Sequence, residues 1–244
     1  MPGEFLNSST KQVIIYHHLG LGDHFICNGI VNFLSEKLSV ILPCKKHNES
    51  TVSSLYKNNP QVTVVAISDE NHDITKLSLA RHAPILKIGF EYLNITKTIW
   101  YKAFYNQLDI DYKTRYTKFL LPDNIAEQTD LYNRLLRESK PYIVVHKASS
   151  VNSSYNIDYM QGRDESLLPT IVEVTPNESN NLLAWTKVFQ NAEEIHVVES
   201  SVFCLIDSIA DTCQGRLYFH KIRKPSMIDD QDLQENGWNI IYYD

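Results

Sequence analysis

The sequence predicts an α/β protein made of two Rossmann-like domains that face each other across a cleft. Short apolar segments rich in β-branched residues alternate with segments of helical spacing along the 244 residues. Strands that alternate with helices form mostly parallel sheets through right-handed crossovers. In addition, each half of the chain opens with an apolar strand that ends in a small polar turn, at residues 13–23 and 142–149. A cleft between two such domains is a common ligand site.

The first domain is predicted over residues 12–138, after a leader or tag remnant at residues 1–11. Its apolar runs have the length and the β-branched content of strands, and they cover residues 13–17, 38–43, 62–67 and 85–90. Helical spacing follows the first three runs, at residues 25–38, 50–58 and 74–81. The domain then continues through an aromatic segment and a polar amphipathic helix, at residues 99–122 and 127–138.

The second domain is predicted over residues 139–244, and it opens with a hinge at Ser139-Lys140-Pro141. Its predicted strands cover residues 142–146, 170–175, 195–198, 216–220 and 239–243. Its predicted helices cover residues 181–190 and 201–210. The alternation again favours a parallel sheet.

Composition limits the classes of function. Hydrophobic residues make up 43% and charged residues 21% of the chain, which is typical of globular proteins in solution. A formal net charge of −6 argues against a protein that wraps around nucleic acid. No apolar run reaches the roughly 18 residues of a membrane span, and residues 1–5 do not resemble a signal peptide. We therefore expect a cytoplasmic protein with free cysteines.

The turn Gly20-Leu21-Gly22-Asp23 is the first candidate site. It joins a strand to a helix, so it places N–H groups of a helix N-terminus at the carboxyl edge of a sheet, where α/β proteins bind ligands. It is not a dinucleotide fingerprint, because Phe25 replaces the third glycine, and it is not a P-loop, because no Gly-Lys-Ser/Thr follows. Asp23 either caps the helix or takes a proton from a hydroxyl nucleophile, and one carboxylate can do both.

The second candidate site is Glu199-Ser200-Ser201, where a predicted strand hands over to a helix. The two hydroxyls and the first N–H groups of the helix suit a diphosphate, and a plain serine N-cap is the alternative. Because a carboxylate repels phosphate, the expected partner of Glu199 is a nucleotide hydroxyl, usually that of a ribose.

A basic cluster after a later strand is the third candidate, and it contains His220, Lys221, Arg223 and Lys224. These groups could neutralise a phosphate leaving group, and a solvated charge run is the alternative. In the aromatic segment we expect most rings to pack in the core, with Arg115 and Lys118 as the residues that could contact a ligand.

Neither a metal site nor an acyl-transfer site is predicted. The sequence has no H-E-x-x-H motif and no clustered His/Cys ligand set, and it lacks a G-x-S-x-G elbow. Asp109-Ile110-Asp111 spells the D-x-D of metal-dependent sugar transferases, but a three-residue match often arises by chance.

These motifs resemble GT-B-fold glycosyltransferases, namely heptosyltransferase-like and fucosyltransferase-like enzymes of bacteria and large DNA viruses. The resemblance is carried by the Gly20–Asp23 turn and by residues 104–107, 115–119, 142–149 and 194–201. It implies that Asp23 activates the acceptor hydroxyl, and we expect Gly22, His24, Arg115 and Lys118 to contact the acceptor. The residues expected to bind the donor are Lys147, Ser149, Glu199, Ser200, Ser201, His220, Lys221 and Arg223.

The expected function is transfer of a sugar from a UDP- or GDP-sugar to a glycan hydroxyl, and the resemblance suggests a deoxyhexose such as L-rhamnose or fucose. The simplest chemistry is an inverting displacement without cofactor or metal. A different class is a non-catalytic domain of a longer polypeptide that binds a glycan or a partner protein. A nucleotide-sugar-modifying enzyme such as an epimerase normally needs the dinucleotide fingerprint that is missing here.

Overall fold

The computed structural model describes residues 11–90, 99–122, 126–136, 141–149, 154–159 and 169–243. This part of the chain is α/β and forms two parallel sheets, one of four strands and one of five, which confirms the predicted class. The chain divides into two compact units, Met1–Asp123 and Asn124–Asp244. Most of the predicted leader, and residues 139 and 140 of the predicted hinge, lie outside the described residues.

The first unit alternates strands with helices. Its strands are β1 (Gln12–Tyr16), β2 (Ser39–Lys45), β3 (Val62–Ile67) and β4 (Ile85–Lys87). Its helices are α1 (Leu21–Ile26), α2 (Asn28–Ser35), α3 (Glu49–Leu55), α4 (Glu70–Arg81), α5 (Trp100–Asn106) and α6 (Thr114–Thr117). The single helix predicted at residues 25–38 is therefore two helices, because ψ near −1° at Cys27 interrupts the helix for one residue.

The strands of the first sheet lie in the order β3-β2-β1-β4. Ile14 of β1 pairs with Ile41 of β2 on one side and with Ile85 of β4 on the other. Val13, Ile14 and Ile15 have no exposed surface. An uninterrupted apolar run is what a parallel strand covered on both faces requires, so the sequence of β1 places it in the centre of the sheet.

The second unit repeats the plan with a different strand order. Its strands are β5 (Tyr142–His146), β6 (Thr170–Glu173), β7 (Glu194–Val198), β8 (Arg216–Lys221) and β9 (Trp238–Tyr242), in the order β6-β5-β7-β8-β9. Its helices are α7 (Ala126–Leu135), α8 (Thr186–Gln190), α9 (Ser201–Ser208) and α10 (Asp230–Glu235). The predicted helix at residues 181–190 begins as a 3₁₀ turn, Leu182–Trp185, before α8.

Helix α7 belongs to the second unit, whereas the sequence analysis assigned residues up to 138 to the first domain. It packs against α8 and the 3₁₀ turn before it. Asn181 donates a hydrogen bond to Glu127 at 2.8 Å, and Arg134 pairs with Glu178. These contacts join residues distant in sequence, so helical periodicity alone does not predict them.

Candidate functional site

Each sheet contains one point at which the strand order reverses, and α/β proteins bind ligands outside the carboxyl ends of the strands at such points. In the first sheet it lies between β1 and β4, and in the second sheet between β5 and β7. The loops after these strands begin at residues 17, 88, 147 and 199. The two candidate regions are therefore the carboxyl edges of the two sheets, which we call the first edge and the second edge.

Asp23 lies at the first edge, in the first turn of α1. The N-cap of this helix is Gly20, so Asp23 is not the N-cap residue that the sequence analysis considered. Its Oδ2 accepts a hydrogen bond from the Gly20 backbone N–H at 3.1 Å. A Cβ on residue 20 would lie 2.5 Å from that oxygen. Glycine is therefore needed at this position so that the carboxylate can approach the backbone.

Burial raises the pKa of Asp23 to about 6, although the Gly20 N–H and the positive charge of Lys45 both lower it. Burial has this effect because it removes water from the charged form. A carboxylate of this pKa is mostly ionised at neutral pH and still accepts a proton readily. This is the property that a general base requires, and strongly shifted pKa values are concentrated at functional sites.

Three polar side chains that the sequence analysis did not single out lie at the same edge. The Lys45 ammonium, at the end of β2, is 3.0 Å from Oε1 of Glu70, the first residue of α4. The Tyr16 hydroxyl, at the end of β1, donates to Oε2 of Glu70 at 3.4 Å. Their positions at strand and helix ends were visible in the sequence, but their meeting depends on the sheet order.

The backbone is strained in the loops that follow both strands at the reversal point of the first sheet. Leu19 has φ +57° and Phe90 has φ +48°, a region that bulky residues rarely adopt. Surrounding contacts hold both residues, since the Leu19 N–H donates to His17 Nδ1 at 3.1 Å and the Phe90 N–H donates to His18 Nε2 at 3.3 Å. Strain of this kind is often found at functional sites.

Of the predicted acceptor residues in this turn, only Gly22 reaches the surface. His24 has no exposed surface, and neither of its ring nitrogens has a hydrogen-bond partner among the described residues. Its ring packs edge-on against His17 at 4.4 Å. Burial lowers the pKa of both histidines, that of His17 to about 3. His24 is therefore a core residue, and its predicted contact with the acceptor does not fit this geometry.

The other two predicted acceptor residues are engaged within the first unit. Arg115 is buried, donates to the Tyr112 hydroxyl at 2.6 Å and lies over the ring of Tyr116 at 5.1 Å. Lys118 pairs with Glu36. Burial takes Arg115 out of reach of an acceptor, because its charge is placed against the aromatic rings of the core.

Asp109 and Asp111 are both exposed. Asp111 accepts a hydrogen bond from the Lys113 N–H at 2.9 Å, as turn-forming aspartates commonly do.

At the second edge, Ser200 is the N-cap of α9 and lies beside His146. Its hydroxyl accepts from the Phe203 N–H at 3.3 Å, lies 3.2 Å from His146 Nδ1 and donates to the Val198 carbonyl at 3.0 Å. Burial lowers the pKa of His146 to about 4, so this ring is neutral at pH 7. The serine cap that the sequence analysis kept as an alternative is present, and it lies at the reversal point of the sheet.

The remaining donor candidates after β5 and β7 lie at the same edge. Lys147 is 3.3 Å from Glu173, and it lines a cavity of about 420 Å³ together with Tyr155, Tyr159 and other residues of the 154–159 segment. Ser149 and Ser201 are partly exposed. The structure therefore brings Lys147, Ser149, Ser200 and Ser201 to one edge of the second sheet, and their contact with a donor stays a prediction.

Glu199 is engaged by the loop after β8. Its carboxylate accepts from Arg223 at 2.8 Å, from the Ser226 hydroxyl at 3.3 Å and from the Met227 N–H at 3.2 Å. These bonds fix the loop at the second edge and occupy the oxygens that were predicted to contact a nucleotide hydroxyl. Arg223, predicted to stabilise a leaving group, is paired with Glu199, and Lys221 is paired with Asp230.

His220 belongs to a buried chain of hydrogen bonds. It runs from Glu194 to His196 at 3.1 Å, from His196 to His220 at 2.9 Å and from His220 to the Tyr243 hydroxyl at 2.6 Å. A carboxylate only accepts, so the His196 Nε2–H donates to Glu194, the His220 Nε2–H donates to His196 Nδ1, and the Tyr243 hydroxyl donates to His220 Nδ1. Burial lowers the pKa of His220 to about 4. Its predicted role as a phosphate ligand does not fit a ring with both nitrogens bonded and almost no exposed surface.

The described residues contain no group of three or more His, Cys, Asp or Glu side chains that could hold a metal ion. None of the helices in the described ranges has the length and apolar character that a membrane span requires. Comparison of the chain with protein-family models, with curated proteins and with solved structures gave no match.

Proposed function

We propose that the protein is a nucleotide-sugar-dependent glycosyltransferase of the GT-B type, in which the first unit supplies the base and binds the acceptor and the second unit binds the donor. The observation that carries the proposal is the Asp23 carboxylate at the first edge, whose pKa burial raises to about 6. A general base is most effective when its pKa lies near the working pH.

In this proposal the oxygen of the acceptor hydroxyl attacks the anomeric carbon of the donor sugar, and its proton moves to Asp23. The bond between that carbon and the nucleoside diphosphate breaks in the same step, with inversion, and the diphosphate leaves with the electron pair. Ser200, Ser201 and the first N–H groups of α9 would bind the diphosphate. Lys147 would supply a positive charge at the same edge, and stabilisation of developing charge is a large part of such catalysis.

The substrates proposed are a UDP- or GDP-sugar, such as one that carries L-rhamnose or fucose, and a glycan hydroxyl. Binding of the donor is tested first, by thermal shift against UDP, GDP, CMP, ADP and NAD, because a ligand of the folded state raises the midpoint of unfolding. A shift with UDP or GDP alone supports a transferase. A shift with NAD would overturn the proposed function.

Turnover is tested with the nucleotide-sugar of the nucleotide that binds and a panel of glycans, with release of the nucleoside diphosphate as the readout. Asp23→Asn should lower turnover by about 10²–10⁴-fold, the usual contribution of a general base, and keep the thermal shift. Asp109→Asn is the matched control, and it should have no effect. Turnover lost with EDTA and restored by manganese, together with loss in Asp109→Asn, would replace the metal-independent mechanism by a metal-dependent one.

The alternative function is a non-catalytic domain that binds a glycan. It is favoured by the pairing of Lys221 and Arg223 with carboxylates of the same unit, because a diphosphate would have to compete with these partners. Binding of an oligosaccharide without any shift by UDP or GDP would support this alternative.

A further inference from the structure

A row of polar side chains crosses one face of the second sheet, from the first residue of β7 to the residue after β9. The row, which we call the polar row, consists of Glu194, His196, His220 and Tyr243. His220 pairs in register with Val198, which shares a face of β7 with His196 because side chains two apart in a strand point the same way. Residues 154–159, which we call the covering segment, pack on this face.

The hydrogen bonds of the polar row all point toward Glu194. Glu194 pairs with Arg216, and its carboxylate only accepts, so His196 has its proton on Nε2 and a lone pair on Nδ1. That lone pair accepts from His220 Nε2–H at 2.9 Å, which leaves His220 Nδ1 to accept from the Tyr243 hydroxyl at 2.6 Å. A hydroxyl has one proton, so the Tyr243 oxygen can meet a further polar neighbour as an acceptor.

That further neighbour is the backbone of the covering segment. The Asp158 N–H donates to the Tyr243 oxygen at 2.9 Å. Near the other end of the segment, the Tyr155 N–H donates to the Lys147 carbonyl at 2.7 Å. Between these two bonds, Ile157 is buried against apolar residues of β5 and β7. The segment is therefore held on the sheet at three points, and Tyr243 is the side chain that holds the end near Asp158.

The covering segment forms most of the wall of the cavity of about 420 Å³ at the second edge. The residues that line it are Lys147, Ser154, Tyr155, Asn156, Ile157 and Tyr159. Tyrosine rings offer flat surfaces against which a base can pack, and the Asn156 carboxamide has both a donor and an acceptor. Lys147 adds a cation suited to phosphate. These groups together suit the nucleoside and first phosphate of a nucleotide.

We propose that Tyr243 is a positioning residue for the donor site, because it fixes the segment that forms the wall of this cavity. The inference rests on the proposed function, in which the cavity beside Lys147 receives the nucleoside part of the donor. Tyr243 is not among the described residues that line the cavity, so it acts on the nucleotide through the segment. Glu194 acts from the far end of the polar row, since it sets the direction that leaves the Tyr243 oxygen to accept from Asp158.

Amide hydrogen exchange, measured by NMR, tests the contact between Tyr243 and the segment. Tyr243→Phe keeps the ring and removes the oxygen, so the Asp158 amide should exchange about three- to tenfold faster, which corresponds to one hydrogen bond. Tyr242→Phe is the matched control, because the Tyr242 hydroxyl donates to Asp230 at 2.9 Å and its loss should leave the Asp158 amide unchanged. Unchanged Asp158 exchange in Tyr243→Phe, or an equal rise in Tyr242→Phe, would overturn the inference.

The direction of the polar row is tested by long-range ¹H–¹⁵N spectra of the histidine rings at pH 7. Both His196 and His220 should carry their proton on Nε2, with Nδ1 unprotonated. A proton on Nδ1 of His220 would overturn the role of Glu194, because Tyr243 would then accept from His220 instead of donating to it.

Donor binding and turnover separate positioning from a general effect on folding. In Tyr243→Phe the affinity for UDP or GDP should fall about three- to tenfold and the donor KM should rise by a similar factor, whereas kcat should stay within about twofold. A loss of folded protein alone would lower kcat and leave KM unchanged. Tyr242→Phe should match the wild type in both constants.

The same measurements distinguish failure of the inference from failure of the proposed function. If Tyr243→Phe frees the Asp158 amide but the wild type binds neither UDP nor GDP, the hold of Tyr243 on the segment stands and the proposed function fails. If the wild type binds UDP or GDP and Tyr243→Phe binds it equally tightly, the proposed function stands and the inference fails.

Discussion

The two edges differ in how their charged groups are used. At the second edge Glu199 is paired with Arg223, Lys221 with Asp230 and Lys147 with Glu173, and at the first edge Lys45 is paired with Glu70. At the first edge Asp23 accepts one backbone hydrogen bond, and burial raises its pKa to about 6. The comparison shows that the charges of the second edge hold its loops in place, whereas the charge of Asp23 costs stability and is available to accept a proton.

The direction of the pKa shift determines how the stability cost of the Asp23 charge depends on pH. The pKa of Asp23 is raised in the folded protein, so the folded state binds this proton more tightly than the unfolded chain does. Asp23 therefore lowers the free energy of unfolding as the pH rises from about 4 to about 6, and the full cost is present above that range. A stabilising ion pair has the opposite dependence on pH.

The largest change in the free energy of unfolding is expected in the second unit, when the Glu194 side chain is removed. This carboxylate is buried, accepts from His196 and pairs with Arg216. Glu194→Ala leaves a buried histidine N–H without an acceptor, and it should lower the free energy of unfolding by about 3 kcal/mol. Urea denaturation at pH 7 measures the change, and the exposed neighbour gives the control, since Glu193→Gln should have little effect. Equal stability of Glu194→Ala and the wild type would show that the buried Glu194 carboxylate does not stabilise the second unit.

Asp23→Asn should have the opposite effect on the free energy of unfolding. It removes a partly buried charge and keeps an oxygen that can accept from Gly20, so the free energy of unfolding should rise by up to about 2 kcal/mol at pH 8 and by almost nothing at pH 4. Asp73 is the control in the same unit. Hydrogen bonds from the Asp69 and Ser68 N–H groups lower its pKa, so Asp73→Asn should destabilise the protein at pH 8. Loss of stability in Asp23→Asn at pH 8 would show that its ionised form is stabilising.

Alanine substitutions at Gly20 and Gly215 should differ in their effects. One should mainly lower turnover, and the other should mainly lower the free energy of unfolding. A Cβ at Gly20 meets only the carboxylate of Asp23, whereas a Cβ at Gly215 would lie 2.1 Å from the Ala192 backbone carbonyl. Gly215→Ala should therefore destabilise the second unit. Gly20→Ala should change the free energy of unfolding by less than about 1 kcal/mol and lower turnover about tenfold, because the carboxylate is displaced. Denaturation and turnover measured on both variants test this, and full turnover in Gly20→Ala would count against the role of Asp23.

The smallest expected effect is a change in the affinity for UDP or GDP in Glu199→Gln. If Glu199 only holds Arg223, its neutralisation frees the guanidinium for a diphosphate, and UDP or GDP should bind about two- to fivefold more tightly, which corresponds to a surface ion pair. Isothermal titration calorimetry measures this change. Weaker binding would instead support the contact between Glu199 and a nucleotide hydroxyl that the sequence analysis predicted.

The strands and the location of the two edges could be predicted from the sequence alone. The apolar run at residues 62–67 is β3, Val62–Ile67, and the polar turns after β1, β5 and β7 lie at the edges where ligands bind in α/β proteins. These features are local, since the length of an apolar run and the small polar residues that end it can be read directly.

The features that could not be predicted depend on the direction in which a side chain points and on contacts between residues that are distant in sequence. His24 was expected to contact the acceptor, but adjacent residues of a helix point to different faces, and the His24 side chain lies in the core. Glu70 is 54 residues from Tyr16, and Arg223 is 24 residues from Glu199. Pairs of this kind follow from the order of strands in the sheet, which periodicity does not reveal.

Burial of Asp23 at the edge of the first sheet raises its pKa to about 6, and ¹³C NMR of the aspartate carboxyl groups tests this shift without knowledge of the substrate. We predict one aspartate signal with a midpoint near pH 6 in the wild type that is absent from Asp23→Asn. A spectrum in which the signal lost in Asp23→Asn titrates near pH 4, the usual range of an aspartate, would contradict it.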